Sequence, residues 1–73
     1  MCKKLTQEVF TYRPVWAEWA AVDKYNCVYW FSRKPHHGKS CWECPSGRRL
    51  LIAGLFDASD WENSLIKRQK EMK

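Results

Sequence analysis

With 73 residues, five of them tryptophan, and a net charge of +5, the chain has the size of one small basic domain. A domain of that size buries only about 60% of its unfolded surface, which leaves little room for an enclosed catalytic cavity. The balance favours an interaction module, and the charge favours acidic partners such as nucleic acid, anionic protein surfaces or membranes.

Residues 1–8 are polar and without periodicity, and read as a mobile arm. Val9-Phe10-Thr11-Tyr12 is a candidate short strand, or a segment that packs across the sheet, and it ends before Pro14. Residues 15–22 and 27–33 follow, two segments rich in β-branched and aromatic residues joined by Asp23-Lys24-Tyr25-Asn26, and they predict a β-hairpin. Lys34-Pro35 ends the second strand, because proline has no N–H for the ladder. His36-His37-Gly38-Lys39 reads as a loop, residues 40–44 as a third strand, Pro45-Ser46-Gly47 as a turn and residues 48–55 as a fourth strand.

The expected fold is therefore mainly β: a three- or four-stranded antiparallel meander in a single domain over 9–66. Both faces of the hairpin carry apolar residues, so alternation does not say which face meets solvent. The C-terminal segment is the candidate cover. Ser59 and Glu62 have capping-box spacing, and Trp61, Leu65 and Ile66 suit one side of a short helix or turn. Lys67, Arg68, Lys70 and Lys73 then form a basic mobile tail over 67–73.

Four cysteines stand at positions 2, 27, 41 and 44. Met1-Cys2-Lys3-Lys4 does not begin an export signal, so free thiols in a reducing cytoplasm are expected. No run approaches the roughly 20 apolar residues of a membrane span. Cys41-Trp42-Glu43-Cys44, with His36 and His37 before it, resembles half of a zinc knuckle that Cys2 or Cys27 would complete. A second close pair is missing, and on a strand Cys41 and Cys44 point to opposite faces. The expectation is no metal and no cofactor. No set of nucleophile, base and oxyanion donors is recognisable, so no enzyme is expected. Tyr29, Phe31 and Arg33 share one face of the second strand and suit a single-strand nucleic-acid platform, unless the two rings are core.

Trp16-Ala17, Ala21-Val22-Asp23, Trp30-Phe31, Lys34-Pro35, Cys41-Trp42 and Asp60-Trp61-Glu62-Asn63-Ser64-Leu65 follow one another in an order that resembles small proteins of tailed bacteriophages. The likeness spans about residues 14–66. Within that group, the length and basic ends are similar to small regulators of lytic phages, one of them infecting Xanthomonas, that bind host RNA polymerase. The resemblance implies a monomer in the host cytoplasm that binds the N-terminal segment of the β′ subunit. It would impede σ-dependent initiation and promote antitermination, with nascent RNA or DNA nearby. On that reading Phe10, Tyr12, Trp19 and Ile52 are the expected anchors, and Arg13, Arg48 and Arg49 the expected rim charges. The alternative is a small basic nucleic-acid-binding module, with a zinc-ribbon variant among its forms.

Overall fold

The aromatic hairpin forms, but its first strand is shorter than the expected 15–22: residues 15–18 stand outside it, and the Ala17 N–H donates to the Pro14 carbonyl at 3.0 Å to close a turn there. β1 (Trp19–Val22) and β2 (Val28–Phe31) pair antiparallel, with Trp19 opposite Phe31 and Val22 opposite Val28. This computed structural model describes residues 4–52 and 54–69. The buried Asp23 carboxylate holds the turn, accepting the backbone N–H groups of Tyr25 and Cys27 at 2.8 and 3.1 Å. Asn26 takes the left-handed conformation that closes it, at φ 68°, which asparagine tolerates better than most residues. Its side-chain amide donates to the Phe56 carbonyl at 2.7 Å and ties the turn to the later chain.

The other described strands are β3 (His36–His37), β4 (Trp42–Glu43), β5 (Arg49–Ile52) and β6 (Ile66–Lys67). The main sheet is antiparallel in the order β5-β2-β1-β6, while β3 and β4 form a separate two-stranded ribbon. The fold is thus mainly β, with 3-10 turns and no α-helix among the described residues.

Strand order differs from a simple meander for a packing reason. The segment expected as a third sheet strand instead folds over one sheet face, and Trp42 packs with Ala21 and Phe31. Its indole N–H donates to the Val22 carbonyl at 3.0 Å and lies 3.3 Å from the Trp61 carbonyl. Burying this ring removes far more apolar surface from water than a two-residue ladder would. His36-His37, expected as loop, supplies the other side of the ribbon.

Both sheet faces are covered. Phe10, Ala20, Val22, Val28 and Phe56 form one buried cluster, and Ala21, Phe31 and Trp42 form the other. Trp61 packs against both. On the first side the cover includes a 3-10 turn, Gln7–Phe10; of the two expectations for this segment, a strand or packing across the sheet, it takes the second. The Trp30 indole N–H donates to the Val9 carbonyl at 3.0 Å and fixes that turn to the sheet.

The C-terminal segment makes a second 3-10 turn, Trp61–Asn63, not an α-helix. Ser59 does not cap it: Asp60 holds that position without a side-chain capping bond, and the Ser59 N–H donates to Asp57 at 2.9 Å. Ser64 ends the turn by accepting the Val22 N–H at 2.9 Å. Leu65 then packs with the Phe31–Trp42 cluster and Ile66 with the Ala20–Val22 cluster. Consecutive residues on opposite faces are a strand pattern, and β6 completes the sheet.

Lys67 to Gln69, expected as the start of a tail, are held against the sheet. Lys67 lies opposite Trp19, the Arg68 N–H donates to the Glu18 carbonyl at 2.8 Å, and the Gln69 N–H donates to Gln7 at 3.1 Å. The remainder of that expected tail, 70–73, and residues 1–3 of the expected arm lie outside the described residues.

Arg68 Nη2 also donates to Glu18 Oε2 at 2.9 Å. This bond holds the Glu18 carboxyl below its ordinary pKa, aided by the charges of Arg68, Arg13 and Lys67 and opposed by burial. A carboxyl whose folded pKa is depressed stabilises the fold above its unfolded value, and the contribution disappears as pH falls through the folded one. Glu18→Gln should therefore lower the urea midpoint at neutral pH, with the gap to the parent closing below the ordinary carboxylate range. A gap of constant size down to about pH 2 would show that the ion pair contributes nothing through the charge.

Candidate functional site

Among the described residues β5 is an outer strand of the main sheet, paired with β2 on one side only. Its register sets Ile52 opposite Val28, Leu51 opposite Tyr29, Leu50 opposite Trp30 and Arg49 opposite Phe31. The Ser32 N–H donates to the Arg48 carbonyl at 3.0 Å, and this bond sets the phase of the ladder. In an antiparallel pair, bonded and non-bonded positions alternate. Leu50 and Ile52 therefore turn their backbone groups toward β2, and Arg49 and Leu51 turn theirs outward.

The strand is also exposed and apolar. Leu50 is 48% and Leu51 52% exposed, and Leu55 just beyond is 67% exposed. Arg48 and Arg49 stand at its start, and among the described residues no carboxylate lies within ion-pair distance of either. Small sheet proteins blunt such edges with charges inside the strand, prolines or bulges. Here the cations stand at one end only, and the leucines remain open.

The sheet face carrying Leu51 has a second feature. Trp19 and Tyr29 are half-buried beside the Trp42 cover, and cations lie over their rings. Lys34 and Lys67 sit 5.8 and 5.6 Å from the Trp19 ring centre, and the Arg49 guanidinium sits 5.4 Å from that of Tyr29. Such contacts contribute about 0.5–1 kcal/mol each at exposed positions. Phe31, which was to complete a stacking platform, is buried beneath Trp42 and unavailable to a ligand.

The seven residues expected to meet a partner do not form one patch. Arg48, Arg49 and Ile52 come together on β5, with both arginines exposed and Ile52 half-buried. Phe10 is corrected: at 5% exposure it belongs to the core and cannot anchor a partner. Tyr12 is 89% exposed beside the first 3-10 turn. Arg13 is half-buried there, with Nη1 on the Phe10 carbonyl at 3.4 Å. Trp19 lies on β1, two strands from β5. The expectation omitted Leu50, Leu51, Lys34 and Lys67. The unbroken apolar run 50–52 was the available signal, since an outer strand lacking alternation leaves apolar side chains exposed.

Among the described residues the cysteine and histidine constellation does not assemble. Among the described residues no three of His, Cys, Asp and Glu gather as a metal site, and Cys2 lies outside them. Cys27, Cys41 and Cys44 are free and half-buried, with the Cys44 thiol directed at the Arg33 carbonyl at 3.6 Å. His37 stacks on Trp61 at 4.9 Å, meets Trp42 edge-on at 5.2 Å and lies 3.7 Å from Glu62. It braces the ribbon. An open groove of about 490 Å³ beside it is lined by His37, Cys41 and Glu43 together with loop residues 38–40. Among the described residues no helix is long and apolar enough to cross a membrane.

Comparisons with known proteins find no relative: no protein-family model, no curated protein and no solved structure matches the chain.

Proposed function

We propose that this chain is a small non-catalytic regulator of a tailed bacteriophage that binds host RNA polymerase at the N-terminal segment of β′. Bound there, it impedes σ-dependent initiation and promotes antitermination. The observation that carries the binding role is the β5 edge, where Leu50 and Leu51 stand exposed next to Arg48 and Arg49, which meet no carboxylate among the described residues. An apolar strip with a charged border is the arrangement of a docking surface, since apolar anchors supply affinity and the border steers encounter. The choice of polymerase rests on the likeness of residues 14–66 to small phage proteins and, within that group, on the chain's length and basic ends.

A second reading, a single-strand nucleic-acid module, is favoured by the lysines and arginine over Trp19 and Tyr29. The two are separated by measuring purified Xanthomonas RNA polymerase and a free RNA oligonucleotide as ligands at two salt concentrations. The polymerase reading expects tight binding to the enzyme. Arg48→Gln and Arg49→Gln should slow association and weaken its salt dependence, and Leu50→Ala should speed dissociation. Tight, steeply salt-dependent binding to free RNA without binding to polymerase would overturn it.

A further inference from the structure

We infer that the open edge of β5 is a strand-addition site, and that its occupant is an extended segment of a partner protein, apolar at one end and acidic at the other. The inference deepens the polymerase reading, on which it rests for the partner's being a protein, but its evidence is the edge itself. Three features of β5 point the same way. Its outer side presents the N–H and C=O groups of Arg49 and Leu51 in the ladder phase set by the Ser32–Arg48 bond, with no described strand to receive them. Unmade backbone bonds of this kind are the template that β-augmentation uses.

The second feature is what flanks those groups on either face. Leu50 and Ile52 project to the side of Trp30, and Leu51 projects to the side of Tyr29. An added strand would meet apolar neighbours on both faces along this half. The third feature is charge. Arg48 lies on the Leu50 side and Arg49 on the Leu51 side, so both faces become cationic at the same end of the strand. Neither arginine has a carboxylate partner among the described residues. An incoming segment with carboxylates at that end would satisfy both, and this asymmetry sets its register.

A second copy of the chain fits less well. Pairing β5 with itself antiparallel would set Arg48 and Arg49 of each copy beside the apolar end of the other, with no carboxylate of the strand to meet them. Free RNA lacks the alternating peptide N–H and C=O groups at strand spacing that match the outer edge.

The test uses two synthetic decapeptides of one composition. Each carries alternating valine and threonine in one half and glutamates in the other, and the acidic half is placed first or last. An antiparallel partner would place its acidic end last, beside Arg48 and Arg49, and a parallel one first. One peptide should bind clearly better than the other, and its glutamate-to-lysine version should not bind. Leu51→Pro deletes an outward N–H while leaving the β2 ladder intact, so the fold should survive as proline does on other edge strands. It should weaken peptide binding about tenfold or more, whereas Leu51→Thr, which keeps the N–H, should cost much less.

If Leu51→Pro fails to fold, N-methylation of alternate peptide amides replaces it. Only the set facing β5 should abolish binding. Equal binding of both N-methylated sets, unchanged binding to Leu51→Pro, or no peptide binding at all would overturn the proposal. So would a wild-type dimer that Leu51→Pro dissociates, which would make the occupant a second copy. Polymerase that binds wild type and Leu51→Pro alike would remove strand addition and leave the polymerase reading in place. Peptide binding without polymerase binding would do the reverse.

Discussion

Replacing Trp42 with alanine should remove a large share of the protein's stability. Domains retain about 0.05–0.15 kcal/mol of stability per residue, which is roughly 4–11 kcal/mol for a chain of this length. A buried tryptophan cut to alanine costs about 3–5 kcal/mol in transfer and cavity terms. Trp42 is the only large side chain that the β3–β4 ribbon contributes to the cluster over Ala21 and Phe31. Its removal also takes the edge-on partner from His37 and the indole N–H from the Val22 carbonyl. Trp42→Phe keeps most of the ring and loses only the donor. The Val22 carbonyl still has the Ser64 hydroxyl at 3.2 Å, so this variant should lose about 1–2 kcal/mol and stay folded. Urea unfolding followed by far-UV circular dichroism reads both. A cooperative Trp42→Ala transition near the parent midpoint would mean that the ribbon is not part of the core.

Asp23→Ala should have the second largest effect. The carboxylate accepts two backbone N–H groups in the β1–β2 turn and is itself 7% exposed. Alanine leaves both donors without their acceptor in a place water reaches poorly, at about 1–3 kcal/mol for each donor that stays unsatisfied. A total loss of about 2–4 kcal/mol is expected. Asp23→Asn keeps a carbonyl acceptor of the same reach and should lose less than half as much. Equal losses from the two variants, measured as urea midpoints, would place the role of Asp23 in its charge, not in its acceptor geometry.

The hairpin was legible because its β-branched and aromatic residues sit in two runs around Asp23-Lys24-Tyr25-Asn26, a turn that local chemistry dictates. β5 was legible as an apolar run after the Pro45-Ser46-Gly47 turn, although the expected strand, 48–55, was longer than the Arg49–Ile52 observed. What was not legible depended on contacts between distant segments. Trp42 could extend the sheet or cover it, and only the apolar character of both sheet faces decides for the cover. Ser59 and Glu62 have the spacing of a capping box, yet Leu65 and Ile66 are drawn to opposite faces of the sheet and the helix gives way to a strand. Phe10 was an expected anchor by residue type alone, and residue type does not give burial; the first 3-10 turn carries it into the core. On the site, Arg48, Arg49 and Ile52 were found by their residue types. Leu50 and Leu51 were missed because exposure depends on which strand ends up outermost.

The central claim is that a protein partner completes the β5 edge, and backbone amide exchange reads it directly. The free protein and the protein saturated with purified Xanthomonas RNA polymerase are exchanged in deuterated buffer and compared amide by amide. Arg49 and Leu51, whose N–H groups point outward, should exchange quickly alone and slow strongly in the complex. Leu50 and Ile52, already bonded toward β2, should change little. A complex that forms while Arg49 and Leu51 exchange as fast as in the free protein would contradict the account.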